Sequence, residues 1–102
     1  MSRTTDHVDA FNHAVTTGDW DTFSTRFADD ARMSFVGVPA GPFEGRTAIT
    51  EAYRENPPTE TMTLAGTDGD TVSFRWSGGD TGTMQLTWTP DDKVKTLTVS
   101  FD

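Results

Sequence analysis

Two stretches near the end of the chain decide its fold: TMQLTW, residues 83–88, and TLTVSF, residues 96–101. In both, an apolar side chain alternates with Thr, Ser or Gln, which is the period of a strand that buries one face. VSFRW, residues 72–76, and TMTL, residues 61–64, show the same alternation. Turns rich in glycine and aspartate separate these runs, so an antiparallel sheet is predicted for the chain after Pro58.

The first third of the chain is predicted to form two helices. An apolar stripe of helical period indicates the first one and consists of Val8, Phe11 and Val15. Thr5 or Asp6 is expected to cap its start, and Gly18 is expected to end it. Asp19 is expected to cap a second, short helix whose inner stripe is Trp20, Phe23 and Phe27.

The middle of the chain combines a strand, a loop and a third helix. Residues 28–30, Ala-Asp-Asp, are predicted to form a turn, and residues 31–36 alternate as a half-buried strand. Residues 37–45 are rich in glycine and proline and are predicted to be a loop. The third helix is predicted from Arg46 to Glu55, because the prolines that follow cannot continue a helix. Its inner residues are Ile49, Ala52 and Tyr53.

The parity of the alternation assigns the two faces of the sheet. The polar face carries many threonines together with Arg75 and Gln85. The apolar face, which is expected to meet the helices, has no ionisable side chain and consists of Met33, Phe35, Met62, Leu64, Val72, Phe74, Trp76, Met84, Leu86, Trp88, Leu97, Val99 and Phe101. Val94 has the opposite parity to Leu97, so a β-bulge is predicted near Lys95.

Each of these elements needs a surface against which to bury its apolar side. The economical arrangement packs the three helices on the concave side of a strongly curved, mostly antiparallel sheet, so an α+β fold is predicted. A chain of 102 residues has room for one hydrophobic core, and a single domain is predicted over residues 1–102.

The composition excludes several classes of function. A net charge of −8 and a pI near 4.4 would repel nucleic acids and anionic membranes. No apolar run approaches the roughly 20 residues of a membrane span, and the N-terminal residues lack the apolar core of a secretory signal, so a cytoplasmic protein is expected. The chain has no cysteine, and its two histidines lack a carboxylate motif, so neither a metal nor another cofactor is expected.

Three landmarks stand in a characteristic order: GDW at residues 18–20, FADDA at 27–31 and GRTAI at 45–49. With the predicted helices and the strands that follow, they resemble the nuclear transport factor 2-like superfamily, and within it the SnoaL-like group, from about Val8 to Phe101. The resemblance implies a cone in which the helices close one side of the sheet and a pocket opens at the wide end. It also implies a homodimer through the outer, polar face of the sheet.

The superfamily includes ketosteroid isomerase, polyketide cyclases and dehydratases, so the resemblance also implies positions for catalytic groups. Ketosteroid isomerase uses a tyrosine and a protonated aspartate as oxyanion donors and a carboxylate as base. The matching positions here are Phe11, Met84 and, within one residue, Phe35, all of them apolar. An enolate would have nothing to stabilise it, so ketosteroid isomerase chemistry is not expected.

Four polar residues remain candidates for a catalytic or ligand-orienting role. Tyr53 lies on the inner stripe of the third helix, where it either orients a ligand or is a core tyrosine tipped towards solvent. His7 flanks the first helical stripe, either as a proton shuttle or at an exposed, frayed terminus. Asn12 lies beside that stripe, as a pocket residue or a boundary residue. Glu44 lies with Arg46 near the expected pocket mouth; the pair either steers a polar substrate or has Arg46 tied to a neighbouring carboxylate.

Aromatic side chains are the last clue, since 11% of the residues are Phe, Trp or Tyr. They either fill the cone or line an apolar pocket of roughly 300 Å³ or more. The predicted pocket residues are Phe11, Trp20, Phe35, Tyr53, Phe74, Trp76, Met84, Trp88 and Phe101. Two functions stay open. The protein binds a small hydrophobic or aromatic metabolite without turnover, or it is an enzyme of the polyketide cyclase, isomerase or dehydratase type that uses Tyr53 with His7, Asn12 or Glu44.

Overall fold

The computed structural model describes residues 3–37, 39 and 41–101. Its helices are α1 (Arg3–Thr17), α2 (Trp20–Ser24) and α3 (Arg46–Glu55). Its strands are β1 (Phe27–Val36), β2 (Phe43–Glu44), β3 (Met62–Asp68), β4 (Thr71–Trp76), β5 (Thr81–Trp88) and β6 (Val94–Phe101). Within the described residues, these strands form one six-stranded sheet in the order β2-β1-β6-β5-β4-β3. The predicted α+β fold is confirmed.

The sheet is open and curved, and the helices bury their apolar stripes against its inner face. β1 and β6 run parallel, whereas every other pair of neighbouring strands is antiparallel. A parallel pair requires a long connection, which α3 and the strands β3 to β5 supply here. Among the described residues, no helix is both long and apolar enough to cross a membrane.

Helix α1 starts earlier than predicted. It begins at Arg3, so Thr5 and Asp6 lie inside the helix and the predicted N-cap is wrong. Its buried residues are Thr4, His7, Val8, Phe11 and Ala14. The helix ends at Gly18 as predicted, where φ is 78° and the backbone N–H donates to the Ala14 carbonyl at 2.7 Å. Glycine adopts this left-handed conformation without the strain that a Cβ would bring.

Helix α2 is shorter than predicted, and β1 is longer. Asp19 caps α2 as expected, because its carboxylate accepts a hydrogen bond from the Thr22 backbone N–H at 3.2 Å. The prediction is wrong at Phe27, which starts β1 instead of completing the α2 stripe, because it pairs with Val94 of β6 and is fully buried there. Residues 28–30 continue β1 instead of forming a turn, although the pairing with β6 shifts register along them.

The segment before α3 is more regular than predicted. Residues 43–44 form β2, which pairs with residues 32–33 of β1 inside the stretch predicted as a loop. Helix α3 matches the prediction at both ends, and Tyr53 on its inner stripe is buried. Arg46 forms the expected ion pair with a neighbouring carboxylate, that of Asp29, at 2.7 Å.

The faces of the sheet are assigned as the alternation predicted. Arg75 and Gln85 are exposed on the outer face, while Met84 and Leu86 on either side of Gln85 are buried. The inner face is therefore apolar, and it is the surface on which the helices and the cavity described below are built.

A β-bulge interrupts β6 near Lys95, as predicted. Thr87 of β5 pairs with Thr96. The next residue of β5, Trp88, pairs with Val94, so Lys95 is left without a counterpart on that strand. The extra residue turns Val94 to the same side of the sheet as the later apolar residues of β6.

Candidate functional site

A cavity of about 430 Å³ lies between the helices and the inner face of the sheet. Helices α1 and α3 line one side of it, and five strands line the other, namely β1, β3, β4, β5 and β6. Residues 58–60, which precede β3, and Asp80, which precedes β5, complete the lining. Because the inner residues of the strands are apolar, most of this surface is aromatic or aliphatic.

Three aromatic rings form a continuous surface that we call the aromatic wall: Phe35, Phe101 and Trp76. The Phe35 and Phe101 rings stack with centroids 6.3 Å apart and planes 24° apart. The Phe101 and Trp76 rings stack at 6.2 Å and 12°. Phe11 of α1 meets the Trp76 ring edge-on at 6.1 Å. All three residues line the cavity, so these near-parallel rings form part of its apolar lining.

Two carboxylates, which we call the acidic rim, line the cavity beside this wall: Glu60 and Asp80. The backbone N–H of Trp76 donates to the Asp80 carbonyl at 2.7 Å, which closes the turn between β4 and β5. The Gly78 N–H in that turn donates to Oε1 of Glu60. Asp80 is exposed and Glu60 is half-buried, so the acidic rim lies where the cavity meets solvent.

His7 lines the cavity from α1 and is only 1% exposed. The prediction of a possible frayed, exposed terminus is therefore wrong for this residue. Its ring packs against Phe23 at 5.3 Å and Phe27 at 5.8 Å. Among the described residues, Nδ1 of His7 has no hydrogen-bond partner. Burial, reinforced by the positive charge of Arg26, lowers the pKa of His7 to about 3, so the imidazole is neutral at physiological pH.

Tyr53 lines the same cavity from α3. Its ring stacks on Trp20 at 4.7 Å with the planes 4° apart, and it meets Phe23 edge-on at 5.4 Å. Phe23 therefore contacts both Tyr53 and His7. Burial raises the pKa of the Tyr53 hydroxyl, so this group keeps its proton and can donate a hydrogen bond into the cavity.

The structure places six of the nine predicted pocket residues in the cavity lining: Phe11, Phe35, Tyr53, Trp76, Met84 and Phe101. Trp20 and Phe74 lie behind that lining instead. Trp20 is covered by the ring of Tyr53, which stacks on it. Phe74 is buried edge-on against Trp76 at 4.9 Å. In both cases a second aromatic ring stands between the predicted residue and the cavity.

Trp88 also lies outside the lining, at the far end of β5. The guanidinium of Arg3 lies 5.0 Å from the centre of its ring, and its indole N–H donates to Asp70 at 3.2 Å. The β-bulge at Lys95 interrupts the regular pairing of β5 and β6 just before the pair formed by Trp88 and Val94. Parity alone predicted Trp88 to be a pocket residue. In the structure, the bulge and the position of Trp88 at the end of β5 leave it outside the cavity lining.

Asn12 and Glu44 do not line the cavity. The side chain of Asn12 donates to the Met62 carbonyl at 2.8 Å and accepts from the Met62 N–H at 2.7 Å. This pair of bonds holds α1 on the first residue of β3 and uses the amide group for structure. Glu44 is exposed on β2 and pairs in register with Arg32, away from the cavity.

The acidic rim and the burial of His7 were not predicted from the sequence. Glu60 and Asp80 lie outside regular strands, so the alternation gave no reason to assign them to either face. One signal could have been used to predict their place at the cavity: Glu60 lies just before β3, and Asp80 lies in the turn that follows Trp76. Among the described residues, no group of three or more histidine or acidic side chains is placed to hold a metal ion.

Comparison with known proteins gives a consistent result. Residues 8–99 match the SnoaL-like domain family. Among solved structures, the chain is similar to the crystal structure of a SnoaL-like protein of unknown function from Burkholderia thailandensis. The two are 18% identical, with a TM-score of 0.76, over 98% of this chain and 94% of that one. No curated protein matches. At this level of identity the structural likeness shows the fold alone.

Proposed function

The chain belongs to the SnoaL-like domain family, and on that premise we propose that its cavity binds a small, flat, hydrophobic or aromatic molecule without ketosteroid isomerase chemistry. The observation that carries the proposal is the cavity itself. At about 430 Å³ it falls within the range of roughly 300–1,000 Å³ that is typical of small-molecule sites. The aromatic wall adds rings against which a flat apolar ligand can pack.

The residues at three positions argue against enolate chemistry. Phe11, Phe35 and Met84 all line the cavity, and the family resemblance implies an oxyanion donor or a base at each of them. None of these side chains donates a hydrogen bond or accepts a proton. Losing a single oxyanion donor lowers turnover by about 10²–10³-fold in well-studied enzymes. The cavity is therefore better suited to holding an apolar molecule than to isomerising one.

Binding is tested by calorimetric titration with two flat neutral probes, indole and naphthol. We expect both to bind, and Trp76→Ala to weaken binding about tenfold because it removes the largest ring of the aromatic wall. Phe101→Ala should act in the same direction with less effect on folding, since Phe101 is 40% exposed. Trp88→Ala is the matched control, because it removes the same side chain outside the lining. The proposal is rejected if neither probe binds, or if Trp76→Ala and Trp88→Ala weaken binding equally.

A second candidate function is catalysis at the buried pair His7 and Tyr53, both of which line the cavity. The protonated Tyr53 hydroxyl can stabilise a developing oxyanion, and the neutral imidazole of His7 can accept a hydrogen bond. We propose these two groups as the ones that a cyclase, isomerase or dehydratase reaction would use in this cavity. A compound that co-purifies with the protein, identified by mass spectrometry, is the substrate to assay. Under this alternative, Tyr53→Phe lowers turnover by about 10²–10³-fold and leaves binding unchanged.

We also propose that a second copy of the chain covers the outer face of the sheet. Val36 at the end of β1 is 55% exposed on that face beside Ser100, and a partner copy would bury it. Light scattering at micromolar concentration is expected to give twice the mass of the 11.2 kDa chain. Val36→Asp is expected to lower that mass to the monomer, whereas Thr16→Asp on the exposed side of α1 leaves it unchanged. A monomeric wild-type protein rejects this arrangement.

A further inference from the structure

We infer that the molecule held by the cavity carries a positively charged amino group beside its flat apolar part, so that the site accepts aromatic or aliphatic ammonium compounds. This inference rests on the proposed binding function and adds the charge of the ligand to it. It comes from the distribution of charge around the cavity, taken together with the aromatic wall.

The ionisable side chains of the lining favour a cation. Its charged groups are the two carboxylates of the acidic rim, Glu60 and Asp80, and none of the lining residues described by the structure is a lysine or an arginine. Neither carboxylate belongs to an ion pair within the described part of the chain. No basic side chain of the described residues therefore pairs with either carboxylate, in a protein whose net charge is −8.

The position of the acidic rim is as important as its charge. Asp80 and Glu60 are both tied to the turn that follows Trp76, through the Trp76–Asp80 backbone bond and the Gly78–Glu60 bond. Glu60 and Asp80 therefore line the cavity at the Trp76 end of the aromatic wall. A cation at that end would lie near two carboxylates, which attract positive charge, and near aromatic rings, which attract it where their faces are open. An apolar recess also screens this attraction less than open solvent does.

Among the residues that the structure describes, the buried side of the cavity offers no positive charge that would attract an anionic ligand instead. His7 stays neutral because burial lowers its pKa to about 3. Arg26, whose charge contributes to that shift, does not belong to the lining. His7 also carries an unpartnered nitrogen at 1% exposure, although buried polar atoms in proteins are almost always hydrogen-bonded. His7 is a lining residue, so this unpartnered, buried nitrogen lies at the wall of the cavity and not on an unrelated part of the core.

The inference is tested with three compounds that share an indole ring and differ in charge: tryptamine, tryptophol and indolepropionate. Calorimetric titration at neutral pH and low salt is expected to give tryptamine an affinity about tenfold higher than that of tryptophol, and indolepropionate the weakest binding. Added salt is expected to narrow the gap between tryptamine and tryptophol, because the rim is partly open to solvent.

The variant that isolates the rim combines Glu60→Gln with Asp80→Asn. The glutamine can still accept the Gly78 N–H, and Asp80 is bound through its backbone carbonyl, so the turn is preserved. This variant is expected to bind tryptamine and tryptophol with equal affinity. A control variant combines Glu55→Gln with Asp30→Asn, which makes the same charge change outside the lining and should keep the preference for tryptamine.

The results of these titrations distinguish a failure of the ammonium inference from a failure of the proposed binding function. Equal affinities for all three compounds, or a preference for indolepropionate, overturn the ammonium inference and leave apolar binding intact. Retention of the tryptamine preference by the Glu60→Gln/Asp80→Asn variant overturns it as well. If none of the three compounds binds, the proposed function and the inference both fail.

Discussion

Acidification from pH 7 to pH 4.5 is expected to lower the free energy of unfolding by about 2.5 kcal/mol through His7 alone. In the folded protein the pKa of His7 is lowered to about 3, against 6.5 for an unperturbed histidine. Between these values the unfolded chain binds a proton that the folded chain excludes. The stabilising effect of the neutral, buried ring is thus complete above pH 6.5 and is lost as the pH falls towards 3.

Denaturant unfolding at the two pH values checks this expectation. His7→Phe keeps a ring between Phe23 and Phe27 but cannot titrate, so it should lose about 2.5 kcal/mol less than the wild type. His13→Gln is the matched control, because His13 is exposed on the other side of the same helix. Between pH 7 and pH 4.5, the His13→Gln variant should lose as much free energy of unfolding as the wild type does. An equal acid sensitivity of the wild type and His7→Phe would contradict the assignment.

The range from pH 7 to pH 4.5 lies above the pH at which two carboxylates with a lowered pKa lose their stabilising effect. Hydrogen bonds from Thr22 hold the pKa of Asp19 below its usual value, and a hydrogen bond from Thr89 does the same for Asp91. Groups of this kind stabilise the fold above their unperturbed pKa of 3.8 and lose that effect as the pH falls further. Their contribution is therefore intact at pH 4.5.

Phe27→Ala is expected to lower the free energy of unfolding by about 3–5 kcal/mol. The ring is fully buried and packs against His7 at 5.8 Å and Phe23 at 5.6 Å, so its removal leaves a cavity at the junction of α1, α2 and β1. Single domains have a total stability of about 5–15 kcal/mol, so the variant should unfold at a much lower denaturant concentration.

Phe101→Ala is the matched control for this prediction, because it removes the same side chain where 40% of the residue is already exposed. Both variants are compared with the wild type by denaturant unfolding in the absence of ligand. Phe101→Ala is expected to lose clearly less stability. Equal losses in the two variants would mean that Phe27 does not anchor the core.

The sequence predicts best where one local rule governs several consecutive residues. Arg46 to Glu55 form a helix because an apolar stripe and the prolines after it agree. The strands after Pro58 show a clear alternation of apolar and polar residues, and the change of parity at Val94 is enough to predict the bulge at Lys95. The predictions that failed concern residues whose structure depends on pairing with a distant part of the chain. Phe27 becomes part of a strand because Val94 lies beside it, and nothing near Phe27 in the sequence indicates this.

The candidate site could likewise be predicted where a local pattern orients the side chains, and could not be predicted where long-range packing does so. The apolar lining from the strands could be predicted, because parity alone turns Phe35, Trp76 and Met84 inward. His7 was misjudged because the stripe was counted from Val8, whereas the buried face of α1 begins one turn earlier, at Thr4. The acidic rim is formed by segments with no periodicity, so only the packing of the turn after Trp76 against the segment before β3 brings its carboxylates together.

The two hydrogen bonds between Asn12 and the backbone of Met62 fix α1 to the start of β3, immediately after the segment that carries Glu60. The attachment of α1 to the sheet is therefore made by residues other than those that carry the proposed ligand preference. If the cavity binds a ligand as proposed, substitutions at residues 58–60 and in the β4–β5 turn are expected to change the preferred compound without breaking this attachment. Such a division would let an engineer building a sensor retarget the site while the contact between α1 and β3 is kept.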